Sequence, residues 1–147
     1  MKAAAVLYVK RLDPMCSFYH ECFGLEVAET TEDYCVLESD AWTLSLVVVP
    51  DAVAATFRIS VPPGRREETP VKLAFDVPSI EDLRPVMARL GGQVDSGETQ
   101  WEFRSLRHCD CLDPEGNVVQ LRELLVHRAE PAALSAPVSA SSAECTP

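Results

Sequence analysis

The feature that most constrains this chain is a repeated order of elements. Residues 3–9 alternate as a strand, and a helix-spaced set at Met15, Phe18, Tyr19 and Cys22 follows and stops at Gly24. Three strand-like stretches come next, at 25–30, 34–38 and 42–49, with Asp33 and the Ser39-Asp40 pair marking the turns. The same order returns further on. Residues 71–77 read as a strand, and Ser79 with Asp82 forms an S-x-x-D helix start. Leu83, Val86, Met87 and Leu90 share a helical face, Gly91-Gly92 stop it, and strands are expected at 93–95, 102–112 and 117–125. The spacing repeats as well: Ala4 lies 20 residues before Gly24, and Lys72 lies 20 before Gly92. Residue identity between the halves is low, so the pattern repeats rather than the sequence.

Smaller signals refine this reading. Asp13-Pro14 is read as helix N-cap and first helical residue. Pro85 inside the second helix pattern implies a kink there or a later helix start. Residues 50–70 break the periodicity, with one further strand candidate at 57–61 and a stiff polar run from Pro62 to Glu68. Asp113-Pro114-Glu115-Gly116-Asn117 is a strong turn signal. The expected organisation is one α+β domain over 1–126, with module one at 3–49, a linker at 50–70 and module two at 71–126. Residues 127–147, rich in Ala, Ser and Pro, are expected to form a disordered tail.

Composition narrows the function classes. The net charge of −10 argues against a nucleic-acid partner, which needs a basic footprint, and suits either a cationic ligand or plain solubility. No apolar run approaches the roughly 20 residues that span a bilayer. The opening Met1-Lys2-Ala3-Ala4-Ala5 is a poor export signal, so a cytoplasmic location and no membrane partner are expected. The six cysteines lack a CxxC pair or zinc spacing and are read mostly as buried free thiols, with Cys109 and Cys111 on one strand face. No GxGxxG, P-loop or GxSxG elbow is present, and no Cys–His pair has a nucleophile setting.

Three segments carry a family resemblance. The run from Phe18-Tyr19 to Gly24-Leu25-Glu26-Val27 resembles the FY-x-x-x-x-G-(F/L)-x-(V/L) helix end of the glyoxalase/bleomycin resistance/dioxygenase superfamily, also called vicinal oxygen chelate proteins. Lys72-Leu73-Ala74-Phe75-Asp76-Val77 is similar to its H-x-A-F-x-V strand, and 113–121 to its D-P-D-G-N-x-x-E-(L/F) turn and strand. The resemblance covers residues 3 to 125. It implies two βαβββ modules forming a curved, cup-like mixed sheet with helices outside, closed around a small-molecule ligand within a chain or across a homodimer. Enzymes of the family hold one divalent metal as a Lewis acid, with ligands from the first and last strands of the modules.

Carried onto this chain, the four metal positions fall at Ala4 (or Ala5), Ser45, Lys72 and Gln120. Ala offers no donor, a lysine ammonium repels a cation, and Gln is a weak oxygen donor. The expectation is therefore no metal and no other cofactor. If the hairpin keeps family register, His108 and Asp110 point into the same cup as Lys72 and Gln120. That cluster reads as a Lys72–Asp110 ion pair in place of a metal, as a group that orients ligand or moves protons, or as a nonstandard metal site. Tyr8, Tyr34, Trp42 and Trp101 lie on or beside strands, as cup walls, core or dimer interface. The ligand pocket is expected at Lys72, His108, Asp110, Gln120, Ser45, Trp42 and Trp101. Three functions compete: a metal-free binder that sequesters a cationic or aromatic compound, an altered-site lyase, dioxygenase or thiol transferase, and a structural or regulatory dimer. His20 and His127 are read as surface residues.

Overall fold

The computed structural model describes residues 1–125. The expected tail and His127 lie outside them. Module one contains β1 (Ala3–Val9), α1 (Leu12–Phe23), β2 (Glu26–Thr30), β3 (Tyr34–Glu38) and β4 (Trp42–Val48). Its sheet runs β1-β4-β3-β2, with β1 parallel to β4 and the other pairs antiparallel. A single-turn helix, α2 (Asp51–Ala54), opens the connection. Module two contains β5 (Leu73–Val77), α3 (Ile80–Arg89), β6 (Gln93–Val94), β7 (Trp101–Phe103), β8 (Leu106–Leu112) and β9 (Val118–Leu124). Its sheet repeats the first in the order β5-β9-β8-β6, with β5 parallel to β9 and β7 added against β8. The two ladders remain separate. No helix is long and apolar enough to cross a membrane among the described residues.

Strand alternation places one face of each sheet against the helices. Leu37, Leu44, Leu46, Val77, Val119 and Leu121 point there, and meet Met15, Phe18 and Tyr19 of α1 and Ile80 and Met87 of α3 in one core. Cys109 and Cys111 lie on this face, as alternation required, and both are buried free thiols. Gly92 permits close contact between the modules: a Cβ there would lie 2.5 Å from the Phe18 ring.

The two modules are tied by the turn between β8 and β9. Gly116, at φ 83°, closes it, its N–H donating to the Asp113 carbonyl at 2.9 Å. Asp113 is buried, and its Oδ1 accepts from the N–H groups of Glu115 and Asn117. Tyr19 of α1 donates its hydroxyl to Asp113 Oδ2 at 3.0 Å. Burial and the adjacent carboxylate push the Tyr19 phenol well above its ordinary value, so it remains a donor. Glu115, only 2% exposed, accepts N–H bonds from Lys10 at 2.8 Å and from Arg11 at 2.7 Å. That places a carboxylate at the start of α1, where the helix dipole favours it. Glu123 does the same for α3, accepting from the Ile80 N–H at 2.8 Å.

Several sequence expectations need correction. The N-cap of α1 is Arg11, not Asp13, because the capping oxygens come from Glu115, remote in sequence. Pro14 therefore sits third in the helix, still within the first turn, where a missing N–H leaves no bond unmade. Residues 57–61 form no strand: Lys10 Nζ takes the carbonyls of Ala54 and Phe57 instead. The strand expected from 71 begins at Leu73, leaving Lys72 just before it. Pro85 lies inside α3, which runs without interruption to Arg89. The Ser79 cap is present, its side chain accepting from the Asp82 N–H at 3.2 Å. The long strand expected at 102–112 is divided into β7 and β8 by Arg104 and Ser105, both at positive φ, so module two has one strand more than the pattern suggested. His20 is half-buried and bonds the Leu25 carbonyl at 2.7 Å.

The tie can be weighed by urea denaturation. Glu115→Ala is expected to lose about 3 kcal/mol, because it removes a buried charged acceptor bonded by the Lys10 and Arg11 N–H groups. Tyr19→Phe is expected to lose only about 1 kcal/mol, because Asp113 keeps its other donors.

Candidate functional site

The sheet faces turned away from the helices are open. In module two this face is laid out by register. Asp110 pairs with Gln120 and His108 with Arg122 across β8 and β9, while Gln120 and Arg122 face Ala74 and Asp76 of β5. Lys72, one residue before β5, reaches Asp110 Oδ2 at 2.8 Å. Arg65, from the linker, comes within 4.0 Å of the same oxygen and pairs more closely with Asp95. Arg122 pairs with Asp76 at 2.7 Å. Asp110 Oδ1 is buried and has no hydrogen-bond partner among the described residues. Asp110 lines a cavity of about 190 Å³ together with Arg65, Glu67, Thr69, Lys72 and Val118.

An aromatic wall stands beside this group. His108 is buried, with Nδ1 3.3 Å from Gln120 Oε1 and Nε2 3.3 Å from the Phe103 carbonyl. The Trp101 ring stacks on the imidazole at 5.3 Å between centroids, 13° from parallel, while remaining 41% exposed. Phe103 follows on the same side of β7, also exposed. The structure therefore brings Lys72, His108, Asp110, Gln120 and Trp101 onto one face.

The family-model comparison matches the Glyoxalase/Bleomycin resistance protein/Dioxygenase superfamily over residues 3–121. The chain belongs to that superfamily. Among solved structures it is similar to a glyoxalase/bleomycin resistance protein/dioxygenase family enzyme from Burkholderia phytofirmans PsJN. The identity is 20% and the TM-score 0.60, over 83% of this chain and 97% of that one. It is also similar to a glyoxalase-related enzyme from Fulvimarina pelagi, at 17% identity and TM-score 0.56, over 84% and 87% of the two chains. A lactoylglutathione lyase from Agrobacterium tumefaciens matches at 18% identity and TM-score 0.53, over 84% and 92%. At these identities the likenesses concern the fold. No curated protein matches the sequence.

The positions that the resemblance assigns to a metal carry poor donors. Ala4 presents a methyl group. Ser45 sits between Val6 and Val36 in the first sheet's register. The Lys72 ammonium is engaged with Asp110, and the Gln120 amide is turned to His108. Among the described residues no group of three or more His, Cys, Asp or Glu side chains is placed to hold a metal ion. These residues do not fit a divalent cation.

Two expected pocket residues stand apart from the cluster. Trp42 lies on the helix-facing side of β4 with Leu44 and Leu46, and meets Phe75 edge-on at 6.1 Å. It is a core residue rather than a cup wall, because alternation puts Trp42 and Ser45 on opposite faces. Ser45 lies on the open face of module one, and no hydrogen bond links it to the module-two group among the described residues. Tyr8 is exposed on that open face, and Tyr34 donates its hydroxyl to Glu29. Arg65 and Phe103 were not foreseen. Arg65 sits in a polar run that gives no sign of folding back, and the turn separating β7 from β8 lacks the Asn-Gly or Asp-Gly signal.

The Lys72 and Asp110 side chains are 40% and 17% exposed, so solvent screens much of their attraction. Lys72→Met is accordingly expected to change the urea-unfolding free energy by no more than about 1 kcal/mol. A loss of several kcal/mol would show the pair to be a stabilising element of the fold instead.

Proposed function

We propose that this protein is a metal-free small-molecule binder of the glyoxalase/bleomycin-resistance type, acting in the cytoplasm. The observation that carries the reading is Asp110, whose buried Oδ1 has no hydrogen-bond donor among the described residues and which lines a cavity on the same sheet face as the exposed Trp101 ring. An unmet carboxylate oxygen is costly in isolation and is satisfied by an N–H or O–H from a ligand. Trp101 then receives the flat or apolar part of the same molecule. A cationic aromatic compound answers both features, and the net charge of −10 attracts it.

In this reading Lys72 and Arg65 hold the Asp110 carboxylate in place, and Gln120 positions His108 beneath Trp101. No step is assigned to a metal, because the donor set does not suit one. The exposed Val6, Tyr8, Phe103 and Leu124 support closure of the cup by a second copy of the chain.

Two measurements test the proposal. Incubation with Zn, Mn, Fe, Co and Ni followed by elemental analysis is expected to leave no stoichiometric metal. Tight one-to-one retention that is lost in Gln120→Ala would favour the metal-dependent enzyme. A thermal-shift screen with planar aromatic amines and guanidines is expected to find stabilising compounds, and a ligand at 100 times its Kd adds about 2.7 kcal/mol. Asp110→Asn and Trp101→Ala are expected to lose that stabilisation. A screen with no stabilising compound would point to a dimer without a ligand.

A further inference from the structure

A pair of thiols in module one has no part in the site described above. Cys16 lies on α1 and Cys35 on β3, two elements packed against each other. Their sulfurs are 2.7 Å apart. That is only about 0.7 Å longer than a disulfide bond of about 2.04 Å. Each sulfur is the other's sole hydrogen-bonding partner among the described residues. Cys35 is fully buried, whereas Cys16 is half-buried. The remaining described cysteines are buried, and Cys109 already donates to the carbonyls of Asp95 and Asp110.

We propose that Cys16 and Cys35 are a dithiol modification site. On meeting a small-molecule disulfide such as oxidised glutathione, they form an intramolecular disulfide that clamps α1 to the first sheet. The reaction balances in two exchanges. The Cys16 thiolate attacks one sulfur of the small disulfide, forming a mixed disulfide and releasing one small thiolate, which takes up the proton that Cys16 lost. The Cys35 thiolate then attacks the Cys16 sulfur, closing the internal bond and releasing the second small thiol with the Cys35 proton. Two protein thiols are oxidised, and one small disulfide is reduced to two thiols.

The order of attack follows from exposure, since of the two residues Cys16 is the partly exposed one. The rate follows from its surroundings. Burial, the contact with Cys35 and the Asp13 carboxylate push the Cys16 thiol up to about 12, so little thiolate exists at neutral pH. The clamp therefore forms slowly, under sustained oxidation, rather than as a fast peroxide response. Once closed, it shortens the freedom of the unfolded chain between α1 and β3 and raises stability.

The test uses the full chain, incubated with oxidised glutathione, quenched by alkylation and mapped by peptide mass spectrometry. The expected product is a Cys16–Cys35 linked peptide, with a Tm rise of several degrees that dithiothreitol reverses. Cys16→Ser is expected to abolish both changes while leaving the reduced protein's Tm near that of the parent. Cys35→Ala is expected to stop the reaction at the Cys16–glutathione mixed disulfide, which reads the chemistry even where the buried substitution lowers stability. Accumulation of the mixed disulfide in the parent chain would overturn the proposal. So would linkage of Cys16 to Cys22 or Cys145, or a Tm rise that persists in Cys16→Ser.

Discussion

The structure depends on two buried carboxylates in one turn. Asp113 and Glu115 sit between β8 and β9, yet their bonds reach Tyr19 in the middle of α1 and the backbone entering that helix at Lys10 and Arg11. Burying charge is expensive unless every oxygen is met by a donor, and here each carboxylate accepts several. The result is a polar joint inside an otherwise apolar interface. It matters because the two ladders share no strand pairing, so packing and this joint set how the modules meet. The linker is held by the same turn, through the Arg66 N–H on the Gly116 carbonyl at 2.9 Å. That contact brings Arg65 toward the open face.

The modules are alike where they fold and unlike where they could bind. Both α1 and α3 start against a glutamate carboxylate, and each sheet has a parallel first–last pair. Their open faces diverge. Module one presents Ala4, Val6, Tyr8 and Ser45, whereas module two presents an ion pair, an imidazole and two aromatic rings. A half-exposed ion pair contributes little to stability. In the ligand-binding reading its value lies in fixing where a carboxylate oxygen points.

Much of this was legible in residues. The order of elements followed from helical and strand periodicities and from Gly24 and Gly91-Gly92. The sharing of one face by His108, Asp110 and Gln120 was expected from alternation together with the hairpin register that the family resemblance implies. The failures have physical causes. Arg11 became a helix cap because the capping oxygens lie more than a hundred residues away, beyond any local signal. Arg104-Ser105 adopts a turn that Asn-Gly would have advertised. Trp42 looks like a cup residue by position and type, but the parity of β4 turns it into the core.

The sequence by itself determined the two modules and the order of their elements along the chain. These depend on periodicity and turn chemistry, both of which are local. Only the tertiary structure decided that Lys72 meets Asp110, that one Asp110 oxygen is left without a donor among the described residues, that Trp101 stacks on His108 and that Cys16 touches Cys35. Those outcomes depend on how separate strands and helices are brought together, and residues distant in sequence carry no record of the distances between them.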